Sequence, residues 1–142
     1  MNYYSYQDIF YNPEPCLERY IPNIPNIPNT QNLNHVVTVE HATSPEAIRK
    51  GLMFRKDSLK PNHGMLFHTG RKYNSFWMKN TYIPLDVIFL DEKFKIIGFV
   101  ENNKPLSLEP IYIEEPSNYV LEMNAGWVKR RNAKPGDEIK IK

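Results

Sequence analysis

The run Ile83-Pro84-Leu85-Asp86-Val87-Ile88-Phe89-Leu90-Asp91 constrains the fold more tightly than any other stretch of the chain. Proline has no N–H to give to a β-ladder, so a strand starts after Pro84. Side chains alternate across a strand, which sets Leu85, Val87, Phe89 and Asp91 on one face and Asp86, Ile88 and Leu90 on the other. Both faces are mainly apolar. That pattern belongs to a central strand with covers on both sides. Asp86 interrupts it, and a carboxylate in such a place must be paired or hydrogen-bonded.

The flanks extend the same β-rich pattern. Upstream, Phe76 and Met78 point one way and Trp77 the other, and Asn80 and Thr81 are suited to hold a corner through local backbone bonds. Downstream, Asp91, Glu92 and Lys93 turn the chain, and residues 94–100 return as a hairpin partner. Residues 35–40 read as the first core strand by β-branched content. Ser44, Pro45 and Glu46 open a short helix that Arg49, Lys50 and Gly51 close. Residues 64–68 form a short apolar strand and residues 69–74 a turn. Residues 111–113 give an edge strand, residues 119–124 another strand, and residues 125–128 open a second short helix. A turn at residues 135–138 leads to a closing strand at 139–141. Seven or eight short strands with one or two short helices predict a mostly β (α+β) fold: a small barrel-like mixed β domain, and not a doubly wound one.

One domain is expected over residues 35–142. Residues 1–34 read as a separate arm, extended and rich in tyrosine, proline and asparagine. The arm holds Tyr3, Tyr4, Tyr6, Tyr11 and Tyr20 and then the repeat IPNIPNIPN at residues 21–29. Proline at every third place favours polyproline II, which makes the arm either a spacer or a segment for self-association. The net charge of +2 is too small to imply nucleic acid. One cysteine, Cys16, permits no internal disulfide. The start has no basic and apolar leader, and no run reaches the ~20 apolar residues of a membrane span. A soluble cytoplasmic protein with no membrane partner is the expectation.

Five ordered motifs resemble those of the domain of unknown function 192, also called the uncharacterised protein family 0127. They are Arg49-Lys50-Gly51-Leu52-Met53-Phe54-Arg55 with Gly64-Met65-Leu66-Phe67, Phe76-Trp77-Met78-Lys79-Asn80-Thr81, Ile83-Pro84-Leu85-Asp86-Val87-Ile88-Phe89, Tyr119-Val120-Leu121-Glu122-Met123-Asn124-Ala125-Gly126, and Pro135-Gly136-Asp137. The resemblance covers about three-quarters of the chain and omits the arm. It implies a small β-barrel-like domain with a short helix and carries no established activity, so it leaves open whether the chain is an enzyme. Many bacterial members are exported behind a signal peptide, and none is expected from the start of this sequence.

Asp86 and Glu122, each an acid set in an apolar run, are the residues most open to a functional reading. Each is either a structural carboxylate, with Arg55 as a candidate partner for Asp86, or a pocket acid. Two such acids in one cavity would shift each other's titration and suit proton transfer or cation binding. Arg55, Lys79, Asn80 and Thr81 are candidates for an anionic ligand. Phe76, Trp77 and Trp127 are candidates for a pocket wall or for core. Met53, Met65, Met78 and Met123, with His63 and His68 beside Met65, form a weak candidate soft-metal set. The histidines make no zinc spacing with one cysteine, and no cofactor is expected. Lys129, Arg130, Arg131 and Lys134 read as a solvated basic face. Three functions follow: a binding or accessory domain for a small molecule or ion near Asp86, Trp77 and Glu122; a small hydrolase-like acid–base enzyme using Asp86 and Glu122; and an interaction module using the arm.

Overall fold

The computed structural model describes residues 33–142. The arm at residues 1–32, with its tyrosines and IPN repeat, lies outside the described residues. The described residues form eight strands and two helices in the order β1 (Asn34–Ala42), α1 (Pro45–Lys50), β2 (His63–Lys72), β3 (Ser75–Phe76), β4 (Leu85–Leu90), β5 (Ile96–Asn103), β6 (Ile111–Tyr112), β7 (Ser117–Asn124), α2 (Trp127–Arg131) and β8 (Glu138–Ile141). The fold is the mostly β, barrel-like mixed domain that the sequence implies. Among the described residues no helix is long and apolar enough to cross a membrane.

Six strands share one sheet in the order β5-β4-β7-β2-β1-β8, and β3 pairs with β6 in a small second sheet. Strand β4 lies between β5 and β7, antiparallel to both, so the Pro84-led strand is central as its two-faced pattern requires. β1 runs parallel to β2 and to β8, which makes the sheet mixed. The edges approach each other. Ile139 N–H donates to the Phe94 carbonyl at 2.9 Å, and Ile96 N–H donates to the Asp137 carbonyl at 2.9 Å. These bonds curl the sheet into a partly closed barrel.

Two cores follow from the curl. The enclosed face carries Val37, Leu66, Ile88, Phe99, Leu121 and Ile139, one from each strand of the sheet, with Trp127 and Val128 of α2 packed on them. The outer face carries Met65, Phe67, Val87, Phe89 and Val120, and Leu52, Met78, Ile83 and Ile111 cover it. Alternate residues of β4 therefore feed different cores.

The first helix follows its sequence signals. Ser44 Oγ accepts from Ala47 N–H at 3.0 Å, Pro45 stands in the first turn, and Arg49 and Lys50 stand in the last. Gly51 ends the helix at φ +49, and a Cβ there would press on the Phe67 ring at 3.2 Å. Glycine thus lets the helix end settle against β2. Several strands run past the ends their sequences suggest, β2 and β5 the furthest. β2 continues through residues 69–72, where a turn is expected, because a register shift after His68 and a left-handed Gly70 (φ +79) let Lys72 pair with Ser117. β5 runs past Val100 to Asn103, because Asn102 N–H donates to Asp86 Oδ1 at 2.8 Å.

Asp137 ties the ends of the domain together. Its buried carboxylate accepts from Leu33 N–H at 2.9 Å, Lys134 N–H at 3.0 Å and Lys134 Nζ at 3.0 Å, and bonds His35 Nε2 at 2.9 Å. Arg131 Nε donates to His35 Nδ1 at 3.4 Å. Two members of the basic run expected to be solvated, Arg131 and Lys134, are therefore engaged in this cluster. Burial alone would raise the Asp137 carboxyl, but the bonds from His35, Leu33 and Lys134 outweigh it and hold the group below its ordinary 3.8. A depressed carboxylate contributes stability that is present above its unfolded pKa and lost as pH falls through its folded one. Asp137→Ala should cost roughly 2–4 kcal/mol near neutral pH, read from denaturant midpoints. The wild-type advantage should shrink as pH falls through and below 3.8.

Candidate functional site

Strand pairing decides where the two singled-out acids go. Asp86 stands opposite Met123 and Glu122 stands opposite Val87. Paired residues share a face, so Asp86 points into the enclosed core and Glu122 into the outer one. The sheet does not bring the two carboxylates into one cavity.

Asp86 is fully buried and saturated. Its Oδ1 accepts from Asn102 N–H at 2.8 Å. Its Oδ2 accepts from Gly126 N–H at 3.1 Å and Val128 N–H at 2.9 Å, the opening turn of α2. Gly126, at φ +95, supplies no side chain to cap that helix, and Asp86 does so from a neighbouring strand. Burial pushes the Asp86 carboxyl up, while the three backbone N–H groups and the nearby charge of Arg130 pull the other way. Arg55 is not its partner. The Arg55 guanidinium grips Glu40 in a fork, Nη1 to Oε2 at 2.6 Å and Nη2 to Oε1 at 2.7 Å. That pair lines a separate cavity with His63, because Asp86 is sealed inside the barrel and Arg55 is not.

Glu122 is also buried, 4% exposed, but in the opposite circumstances. No described residue gives its carboxyl a hydrogen bond, and burial alone pushes it up to about 8 from 4.5. At neutral pH the group is a protonated acid, with one O–H donor and one carbonyl acceptor. It lines a cavity of about 180 Å³ with Leu52, Phe67, Phe76, Trp77 and Thr81, and the end of α1 at Arg49 and Lys50 forms part of the rim. Phe67 and Phe76 meet edge to face at 4.9 Å between ring centres.

The corner expected at Asn80 and Thr81 is present. Asn80 sits at φ +53 and its carbonyl accepts from Phe54 N–H at 2.8 Å. The Thr81 hydroxyl donates to the Lys79 carbonyl at 2.9 Å. These bonds set Trp77, a 45% exposed residue, at the cavity, and Lys79 Nζ lies 5.1 Å from the centre of its ring. Thr81 lines the Glu122 cavity beside Trp77, and Lys79, Asn80 and Arg55 do not. Trp127 closes the enclosed core, with its Nε1–H donating to Asn62 Oδ1 at 3.0 Å.

The methionines divide between places. Met65 and Met78 fill the outer core, Met123 the enclosed one, and Met53 borders the Glu122 cavity. The sheet therefore separates Met123 from Met65, and strand alternation turns His68 away from Met65. His63 Nδ1 is bonded to the Pro61 carbonyl at 2.9 Å. Among the described residues no three His, Cys, Asp or Glu side chains converge on a metal-sized site. Sequence reasoning missed Leu52, Gly51 and Phe67 as cavity walls. Gly51 carried the one usable signal, since a helix-ending glycine lets the chain approach closely.

The family model of DUF192, described as "Uncharacterized ACR, COG1430", matches residues 27–141. A crystal structure from Sinorhizobium meliloti 1021, of a protein proposed as a transcription regulator, superposes with a TM-score of 0.68 and 44% identity, covering 70% of this chain and 78% of that one. A crystal structure of a protein of unknown function from Novosphingobium aromaticivorans DSM 12444 gives a TM-score of 0.67 and 37% identity over 70% of this chain and 71% of that one. No curated protein gives a match.

The raised pKa of Glu122 has a stability consequence. The folded state holds a proton that the unfolded state releases, so stability is fully present below 4.5 and falls as pH rises from there to about 8. The loss is about 1.4 kcal/mol per pH unit inside that window. Glu122→Gln, which keeps the shape and cannot ionise, should remove this slope and melt higher than wild type at the alkaline end of the window. Thermal melts of both forms across the window check it.

Proposed function

The chain belongs to the DUF192 family, and from that premise and the Glu122 cavity we propose that it is a binding domain for a small uncharged organic molecule. The observation that carries this reading is Glu122: a buried acid, given no hydrogen bond by any described residue, on the wall of an aromatic-lined cavity. A buried polar group without a partner costs free energy. A ligand that hydrogen-bonds it recovers that cost on binding, so the site favours a ligand with a polar group at Glu122.

The chemistry narrows the ligand. A neutral carboxyl offers a donor and an acceptor side by side, which suits a group carrying the complementary pair, such as a carboxamide. Phe67, Phe76 and Trp77 offer apolar and aromatic faces to a flat body. About 180 Å³ admits a single substituted ring. An organic cation would meet Arg49 and Lys50 at the rim. A concave, mainly apolar site with one placed polar group is the usual form of a small-molecule site. The paired-acid enzyme reading loses its basis, since Asp86 is spent on backbone N–H groups on the far side of the sheet.

Saturation-transfer NMR on the full chain tests this, with a panel of neutral aromatic amides that includes benzamide and nicotinamide. Binding should appear at about pH 6 and disappear at about pH 10, where Glu122 is ionised. Glu122→Leu should abolish it at both. A panel with no binder at the lower pH, or binding that Glu122→Leu leaves unchanged, overturns the proposal.

A further inference from the structure

The barrel carries a second cluster of donor atoms, away from the Glu122 cavity. His41 near the end of β1 and His68 in β2 are 27 positions apart in sequence, yet His41 Nδ1 and His68 Nε2 are 2.9 Å apart. The parallel register sets His41 beside Leu66, and alternation puts His68 on the same face two residues on. The rings stand 5.1 Å apart at 49°. His68 is backed edge-on by Tyr119 at 5.3 Å, and Tyr119 by Phe94 at 4.6 Å. His41 is exposed and His68 half-buried, so solvent reaches the pair while the aromatic row holds one ring.

We propose that His41 and His68 form a two-imidazole clamp for a divalent transition metal of tetragonal preference, Cu(II) above all. The separation is the argument. Two metal–nitrogen bonds of about 2.0–2.1 Å meeting at a right angle span about 2.9 Å, the distance between neighbouring positions of a square-planar or octahedral ion. A tetrahedral ion such as Zn(II) would need the nitrogens spread to about 3.4 Å. Imidazole suits copper, and Cu(II) heads the affinity order of the divalent first-row metals. Binding needs both rings neutral, one tautomer change and a turn of the rings that swings both lone pairs off the N–N line toward the metal, since in the free pair one nitrogen donates to the other. Waters complete the coordination sphere.

Paramagnetic broadening by Cu(II) on the ¹⁵N-labelled full chain tests the clamp. With one equivalent of Cu(II), amide signals of residues 40–42 and 67–69 should be lost first, and an electron paramagnetic resonance spectrum should show a tetragonal centre with nitrogen ligands. His41→Asn, an exposed change that leaves the core intact, should abolish both effects there, as should His68→Asn. His63→Asn should retain them. Broadening centred on residues 1–32, or broadening at residues 40–42 that survives both Asn variants, overturns the assignment.

Discussion

The Asp86 carboxylate holds the enclosed half of this domain together. Its three backbone donors come from two separate elements, Asn102 of β5 and Gly126 and Val128 at the start of α2. Through them a residue of the central strand fixes the end of its hairpin partner and the entry of the helix that carries Trp127. A five-residue helix opening on glycine has almost no intrinsic stability. Its position depends on tertiary contacts, of which this carboxylate is the most specific. Hydrogen bonds to a carboxylate contribute about 1.5–3 kcal/mol each; here they oppose the cost of burial without cancelling it, and the Asp86 carboxyl stays above its ordinary value.

Glu122 meets the same problem with the opposite outcome. It too interrupts an apolar strand, one register step from Asp86 across the β4–β7 ladder. Its face holds side chains where Asp86 meets backbone N–H groups, and no donor reaches it from the described residues. Burial then acts alone and keeps the proton on. Two acids in neighbouring strands therefore do different work. One is a hydrogen-bonded anchor and the other a neutral acid on a cavity wall, and the pleat of the sheet separates them.

The sequence displayed the fold well and the site unevenly. Pro84 and the two-faced run after it placed β4 in the interior of the sheet, and Ser44, Pro45 and Gly51 bounded α1, because these signals are local. The strand extensions at residues 69–72 and 101–103 were hidden, since one depends on a bulge and the other on a bond from Asp86. Asp86 and Glu122 were visible as anomalies. Which one was satisfied, and whether they met, depended on cross-strand register, which one chain's pattern does not fix. The same limit concealed the His41–His68 pair, whose members join only through the parallel pairing of β1 and β2, and the fork between Arg55 and Glu40. Cavity walls such as Phe67 looked like core because an apolar residue has the same signature in both places.

The neutral state of Glu122 in the folded protein at physiological pH underlies both the cavity wall and its ligand preference. A ¹³C NMR titration of the glutamate side-chain carboxyls, with Glu122 assigned by its absence in Glu122→Gln, measures this directly. A midpoint of about 8 is the predicted result. A midpoint near the ordinary 4.5 would mean that the carboxylate is solvated or paired, and would contradict both the closed cavity wall and the neutral-ligand reading built on it.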